Sequence, residues 1–325
     1  MLATVGSTQV QTPMTLLYTD PRFLDHATGG HPESPRRLIA IARHFEATGL
    51  DQRCTRPEFA SISRERLARV HDPRYIAEVA EFVARGGGQI EVDTVVGPAS
   101  FDVARLAAGA VADAVERVVR GEDATALCLV RPPGHHARPA AAMGFCLFDN
   151  VAIGARVAID ELGLDRVLIV DWDVHHGNGT QEIFWRDEQV GFFSVHRWPF
   201  YPGTGDVDET GSGPALGTKL NLPLEFGTPR REYIERFTTA ITQLADRIRP
   251  QLILLSAGFD SHRIDPIGSL GLETEDFATL TDIVRDVART HAGGRIVSVL
   301  EGGYNPPVLA ECVGLHLEGL LKREG

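Results

Sequence analysis

Residues 124–130, 167–170, 252–256 and 296–300 are short and almost wholly apolar. Runs of that length without alternation fit strands buried on both faces, as in a parallel sheet. The segments between them carry helical punctuation. Ser34 precedes Pro35, an N-cap with proline at the first helical position, and Leu38, Ile41 and Phe45 then share a face until Gly49. Ser100 opens a segment that closes at Gly121, and Thr228-Pro229 opens one with Ile234, Phe237, Ile241 and Ile248 on its stripe before Pro250. A further helix starts at Thr274, with Phe277, Leu280, Val284 and Val287 at helical spacing.

Strands alternating with amphipathic helices predict an α/β fold with a central, mostly parallel, doubly wound sheet and helices on both faces. No repeat, low-complexity block or long Pro/Gly/Ser linker divides the chain. Residues 15–325 therefore read as one domain, preceded by a flexible N-terminal segment over residues 1–14.

Composition changes this picture little. The 325 residues are 43% hydrophobic and 23% charged, an ordinary globular balance. A formal net charge of -12 disfavours direct nucleic-acid binding and suits a cationic substrate. No apolar run approaches the roughly 20 residues that span a bilayer, so no membrane association is expected. The opening stretch lacks the basic and apolar regions of a signal peptide. Cys54, Cys128, Cys146 and Cys312 show neither metal-type nor disulfide-type spacing, so the expected compartment is the cytoplasm. Homo-oligomerisation is compatible with all of this.

In doubly wound sheets ligands bind outside the carboxyl ends of the strands. The residues that follow the apolar runs are therefore the candidates. They are RPPGHHA with His135 and His136, DWDVHHGNGT with Asp171, Asp173 and His175, AGFDSH with Asp260, and EGGY with Tyr304. In extended backbone Asp171, Asp173 and His175 project from one face. One imidazole and one carboxylate there, with Asp260 from another strand end, could hold a divalent metal with a position left open. So anionic a set keeps iron(II) and manganese beside zinc. Against this, an isolated DxD is more often a pair of strand-end carboxylates, and a lone HH pair is more often structural. An imidazole facing the cavity could take a proton from water and return it to a leaving amine. Gly302 and Gly303 would let the backbone approach a ligand, and Tyr304 could aim its hydroxyl at an oxyanion.

Taken together, HPESPRRL, RPPGHHA, MGFCLFDN, DWDVHHGNGT, YPGTGD, SAGFDSH and EGGY resemble the histone deacetylase superfamily, in its class II branch with the bacterial acetylpolyamine amidohydrolases. The resemblance runs from about Leu16 to Leu320. It implies one open α/β domain and a zinc-dependent amidohydrolase acting on acetyl-lysine or a similar acylated amine. Position by position it implies Asp173, His175 and Asp260 as zinc ligands, and His136 as general base and acid. It makes His135 the electrostatic partner, with Asp171 behind it and Asn178 behind His136. Tyr304 matches the tyrosine that polarises the acetyl carbonyl. Gly144, Phe145 and Tyr201 match the walls of a narrow tunnel, where phenylalanine is more usual at the position of Tyr201. Asp93, or Thr94 beside it, matches the rim position that holds the substrate backbone. The resemblance also implies potassium at two sites: Asp171, Asp173, His175, Ser194 and Val195 at an inner one, and Phe184, Asp187 and Val190 at an outer one.

Ile267 stands where one polyamine-preferring branch has glutamate, which favours acetyl-lysine or a small acyl-amine over an acetylated polyamine. An arginase-type ureohydrolase would need two metals, and the chain offers ligands for one. A non-catalytic binding protein of the same fold would have lost a metal ligand or Tyr304, and none is lost.

Overall fold

A computed structural model describes residues 15–322; the flexible segment expected over residues 1–14 lies outside them. Seven strands form one fully parallel sheet: β1 (Leu16–Tyr18), β4 (Thr125–Cys128), β5 (Val167–Asp171), β6 (Val190–Arg197), β7 (Lys219–Leu224), β8 (Leu252–Ala257) and β9 (Ile296–Leu300). Between β1 and β4 in the chain, β2 (Gly88–Glu91) and β3 (Thr94–Val96) pair as a separate antiparallel hairpin. The spatial order is β1-β4-β9-β8-β5-β6-β7. The four expected strands are thus β4, β9, β8 and β5, adjacent at the middle of the sheet, where burial on both faces makes the apolar signal strongest. β1, β6 and β7 lie toward the edges, and the pattern did not single them out.

Successive side chains of each strand enter different cores. Val167 and Ile169 face a cluster built with α3 (Pro73–Ala84), α4 (Ser100–Val119) and α5 (Asn150–Arg156). Leu168 and Val170 face the other, built with α1 (Arg36–Thr48), α7 (Arg230–Ile248), α8 (Thr274–His291) and α9 (Pro306–Leu320). The short helices α2 (Arg64–Leu67) and α6 (Asn178–Ile183) complete the set among the described residues.

The expected helix ends hold to within a residue or two. Gly49 closes α1 in the left-handed conformation at φ 70°. Ser34 makes no capping bond there, because Pro35 takes the flanking position and offers no side-chain cap. α8 is closed at its start by a reciprocal capping box between Glu273 and Asp276 rather than by Thr274.

Candidate functional site

The register aligns the carboxyl ends of the central strands. Asp171 sits opposite Ser256 on β8 and Ser194 on β6, and Ala257 sits opposite Leu300 on β9. The loops after β4, β5, β8 and β9 therefore meet over one edge of the sheet.

Asp173, His175 and Asp260 converge there, with their donor atoms within 4.8 Å of one another, and all three are buried. They do not reach this position along one extended face. The strand stops at Asp171 and the chain bends. Each carboxylate accepts the N–H two residues on: Asp171 Oδ1 from Asp173 N at 3.1 Å and Asp173 Oδ1 from His175 N at 2.9 Å. Such side-chain turns replace ladder bonds at a strand end. They separate Asp171 from the other two, and its Oδ2 instead accepts from His135 Nδ1 at 2.9 Å.

The triad fits a divalent cation. His175 Nδ1 lies 2.9 Å from Asp173 Oδ1 and 3.2 Å from Asp260 Oδ2. Asp260 Oδ2 is buried without a hydrogen-bond partner. Burial and the Asp173 charge push Asp260 up to about 7, while the two carboxylates raise His175 to about 9 against the effect of burial. Two buried carboxylates beside an imidazole need a shared positive charge. The backbone leaves room for it: a side chain at Gly302 would place Cβ 2.2 Å from Asp260 Oδ2 and 2.5 Å from Asp173 Oδ2.

The histidine pair divides into a front and a back member, with ring centroids 4.0 Å apart. His136 lines the cavity, and its Nδ1 donates to Asn178 Oδ1 at 2.7 Å. That bond leaves Nε2 bare toward the cavity. Burial, followed by the His135 and His175 charges, lowers His136 well below its ordinary value. Burial also works against charge on His135, but Asp171, Asp173 and Glu301 outweigh it and raise that imidazole well above its ordinary value.

A cavity of about 220 Å³ leads to these groups, lined by Asp93, His136, Gly144, Phe145, His175, Phe200, Tyr201, Ile267 and Tyr304. Phe145 packs edge-on against Tyr304 with ring centroids 5.7 Å apart, and Tyr201 against His136 at 5.3 Å. The turn carrying Phe145 holds positive φ at both Gly144 (56°) and Phe145 (70°). A Cβ at Gly144 would lie 2.2 Å from the His136 ring. The hairpin β2–β3 secures this turn: Asp93 Oδ1 accepts from Gly144 N at 3.0 Å and Thr94 Oγ1 from Phe145 N at 3.1 Å. Both candidates for the rim position are therefore used, with Asp93 on the cavity and Thr94 buried.

Tyr304 closes the inner end. Its backbone N donates to Asp265 Oδ2 at 2.6 Å, and the Arg37 guanidinium sits 5.2 Å from its ring centroid. Burial holds its hydroxyl protonated, well above the ordinary value, against the pull of Arg37. Gly303 does not line the cavity; at φ 119° it makes room for Leu309, and its carbonyl accepts from Arg37 Nε at 2.7 Å.

Several supporting residues had no individual signal in the sequence. Glu301 Oε2 accepts from the backbone N of Gly134 (2.7 Å) and His135 (3.3 Å), fixing the histidine loop from beneath. Phe200 stacks on His175 at 5.3 Å. Arg37 and Arg131 flank Glu33, all three at 1% exposure or less. Glu33 and Arg37 lie in HPESPRRL and Glu301 in EGGY, so the motifs marked their neighbourhoods but not their partners.

Of the expected inner potassium residues, Asp171 and Ser194 are register partners, and Ser194 Oγ meets His196 Nδ1 at 2.9 Å. Two residues of the expected outer set surround a lysine. The Asp187 and Val190 carbonyls accept from Lys219 Nζ at 2.9 and 2.8 Å, and the Phe184 carbonyl accepts from Asp187 N at 3.0 Å.

With this geometry in place, comparison with known proteins is decisive. The model of the histone deacetylase domain family matches residues 31–320. The chain belongs to the histone deacetylase family. It is 38% identical to the histone deacetylase-like amidohydrolase of Pseudomonas aeruginosa, over 88% of this chain and 76% of that relative. It is 41% identical to human polyamine deacetylase HDAC10, over 95% of this chain but 46% of that protein, so it spans about half of the human relative. The solved HDA15 HD domain superposes with a TM-score of 0.90 at 37% identity, covering 95% of this chain and 88% of that one. This member of the histone deacetylase family is a hydrolytic, metal-dependent deacetylase with the single-domain parallel α/β fold expected of it. No described helix is long and apolar enough to cross a membrane.

Proposed function

We propose that this deacetylase uses one zinc ion, held by Asp173, His175 and Asp260, to remove acetyl or another short acyl group from an acetyl-lysine side chain or a similar small amine. The observation that carries the reading is the meeting of that buried triad, His136 and Tyr304 at the end of one narrow aromatic cavity. An acyl-amine on an unbranched stem fits such a shape, since Phe145, Phe200, Tyr201 and Tyr304 line it and the carboxylate of Asp93 belongs to the same lining.

Zinc, when bound, supplies Lewis acidity for the carbonyl oxygen and lowers the pKa of water beside it. The remaining roles fall to the chain. His136 takes the proton from the attacking water through Nε2, because Nδ1–H is committed to Asn178. The Tyr304 hydroxyl donates to the developing oxyanion. His136 then returns the proton to the departing amine. His135 and Asp171 form a charged pair behind it that steadies the site electrostatically. Phe145, Tyr201 and Gly144 hold the substrate stem, Asp93 takes its rim, and Gly302 leaves space beside the ligands. Potassium at the inner position would be held around Asp171, Asp173, His175, Ser194 and Val195.

Ile267 favours acetyl-lysine over an acetylated polyamine, since an apolar side chain at the cavity wall offers no partner for a distant ammonium. The name of the human relative supports the polyamine alternative. The four unpaired cysteines support a cytoplasmic setting, and the net charge of -12 supports a substrate other than nucleic acid.

The test is hydrolysis of an acetyl-lysine peptide and of acetylspermidine by metal-stripped protein, before and after one equivalent of zinc. Zinc-restored turnover with peptide preferred is expected. Faster turnover of acetylspermidine would overturn the substrate, and zinc binding without hydrolysis of either would overturn the reaction assigned to the site.

A further inference from the structure

Lys219 opens β7, and its side chain is among the largest fully buried ones, at 1% exposure. An ammonium removed from water needs replacement acceptors for its three N–H groups. It has three: the Asp187 carbonyl at 2.9 Å, the Val190 carbonyl at 2.8 Å and Thr218 Oγ1 at 2.7 Å. All are neutral oxygens. The Asp187 carboxylate is engaged instead with Arg156, whose guanidinium lies 4.9 Å from the Phe184 ring centroid.

Two backbone carbonyls and a hydroxyl around one positive charge are the ligand set of a hard cation such as potassium. Asp187 and Val190 are also two of the residues at which the outer potassium is expected. We infer that the Lys219 ammonium is the resident cation of this carbonyl cage, so the chain binds no outer potassium ion. An added ion would share its carbonyls with a buried ammonium at close range, with the neighbouring carboxylate already paired, and like charges that near repel strongly. The tethered charge ties the segment after α6, the start of β6 and the start of β7 together, whatever potassium the medium contains. The inference stands apart from the reaction proposed above, which it neither uses nor alters.

Rubidium, a potassium mimic with anomalous scattering, tests it. In crystals of the whole protein soaked in rubidium chloride, the wild type should show no anomalous peak between the Asp187 and Val190 carbonyls. Lys219→Ala should gain one there and bind one more rubidium per chain by equilibrium dialysis. Occupancy of the inner position cancels in that difference. A rubidium peak at the cage in the wild type, or no gain in the variant, would overturn the inference. Should Lys219→Ala not fold, the wild-type map still decides.

Discussion

At the scale of single residues, the proposed mechanism separates proton handling from charge stabilisation. His136 is kept neutral by burial and by the positive charge of His135 beside it, while Tyr304 is kept protonated by burial. One is thereby ready to accept a proton and the other to donate a hydrogen bond. Tyr304→Phe should lower kcat by roughly 10²–10³-fold, as loss of one oxyanion donor does. Zinc content, measured by metal analysis, should be unchanged, because the hydroxyl is not among the triad atoms. Full turnover in that variant would remove the tyrosine from the mechanism.

At the scale of elements, α1 shows what an amphipathic pattern conceals. Its apolar stripe of Ile41 and Phe45 is buried as expected, yet Arg37 on the same helix is fully buried too. Arg37 reaches the Gly303 and Glu301 carbonyls, linking α1 to the loop that carries Tyr304. Glu33, just before the helix, accepts from Arg131 Nε at 2.5 Å and Nη2 at 2.8 Å. Burial alone would raise Glu33, but Arg131, His26 and Arg37 lower it to about 2 from 4.5. A depressed carboxylate contributes stability that is present above its unfolded value and lost as pH falls through the folded one. Here that is about 3 kcal/mol, lost between about pH 4.5 and pH 2. Glu33→Gln should flatten that acid limb in urea titrations. It should also cost roughly 3–5 kcal/mol at pH 7, since two buried guanidiniums lose their counter-charge. An unchanged urea midpoint at pH 7 would show that the cluster does not hold the loop.

At the scale of the whole molecule, the residues proposed to hold the metal come from elements far apart in sequence. Asp173 and His175 follow β5, Asp260 follows β8, and Gly302 N donates to Asp173 Oδ2 at 2.8 Å from the loop after β9. A cation shared by these loops should stabilise the native state by mass action. Zinc at 100–1,000 times its dissociation constant should raise the Tm of stripped protein by roughly 4–6 °C for a chain of this size. Asp260→Asn should lose most of that rise in thermal unfolding. An equal rise in the variant would place the ion elsewhere.

The sequence by itself determined the parts of this protein that obey local rules. Central strands buried on both faces must be apolar throughout, so β4, β5, β8 and β9 were legible, and with them the strand ends that carry His136, Asp173, His175, Asp260 and Tyr304. Edge strands such as β1 and β7 are short or mixed in polarity, and their place depends on neighbours supplied by distant segments. Tertiary structure alone decided which groups meet. It turned Asp171 away from Asp173 toward His135, made a buried ion cluster of Glu33, Arg37 and Arg131, and set Lys219 on the carbonyls of another loop. Each of these outcomes is a long-range choice of partner for a charge removed from water, and no local pattern encodes the partner.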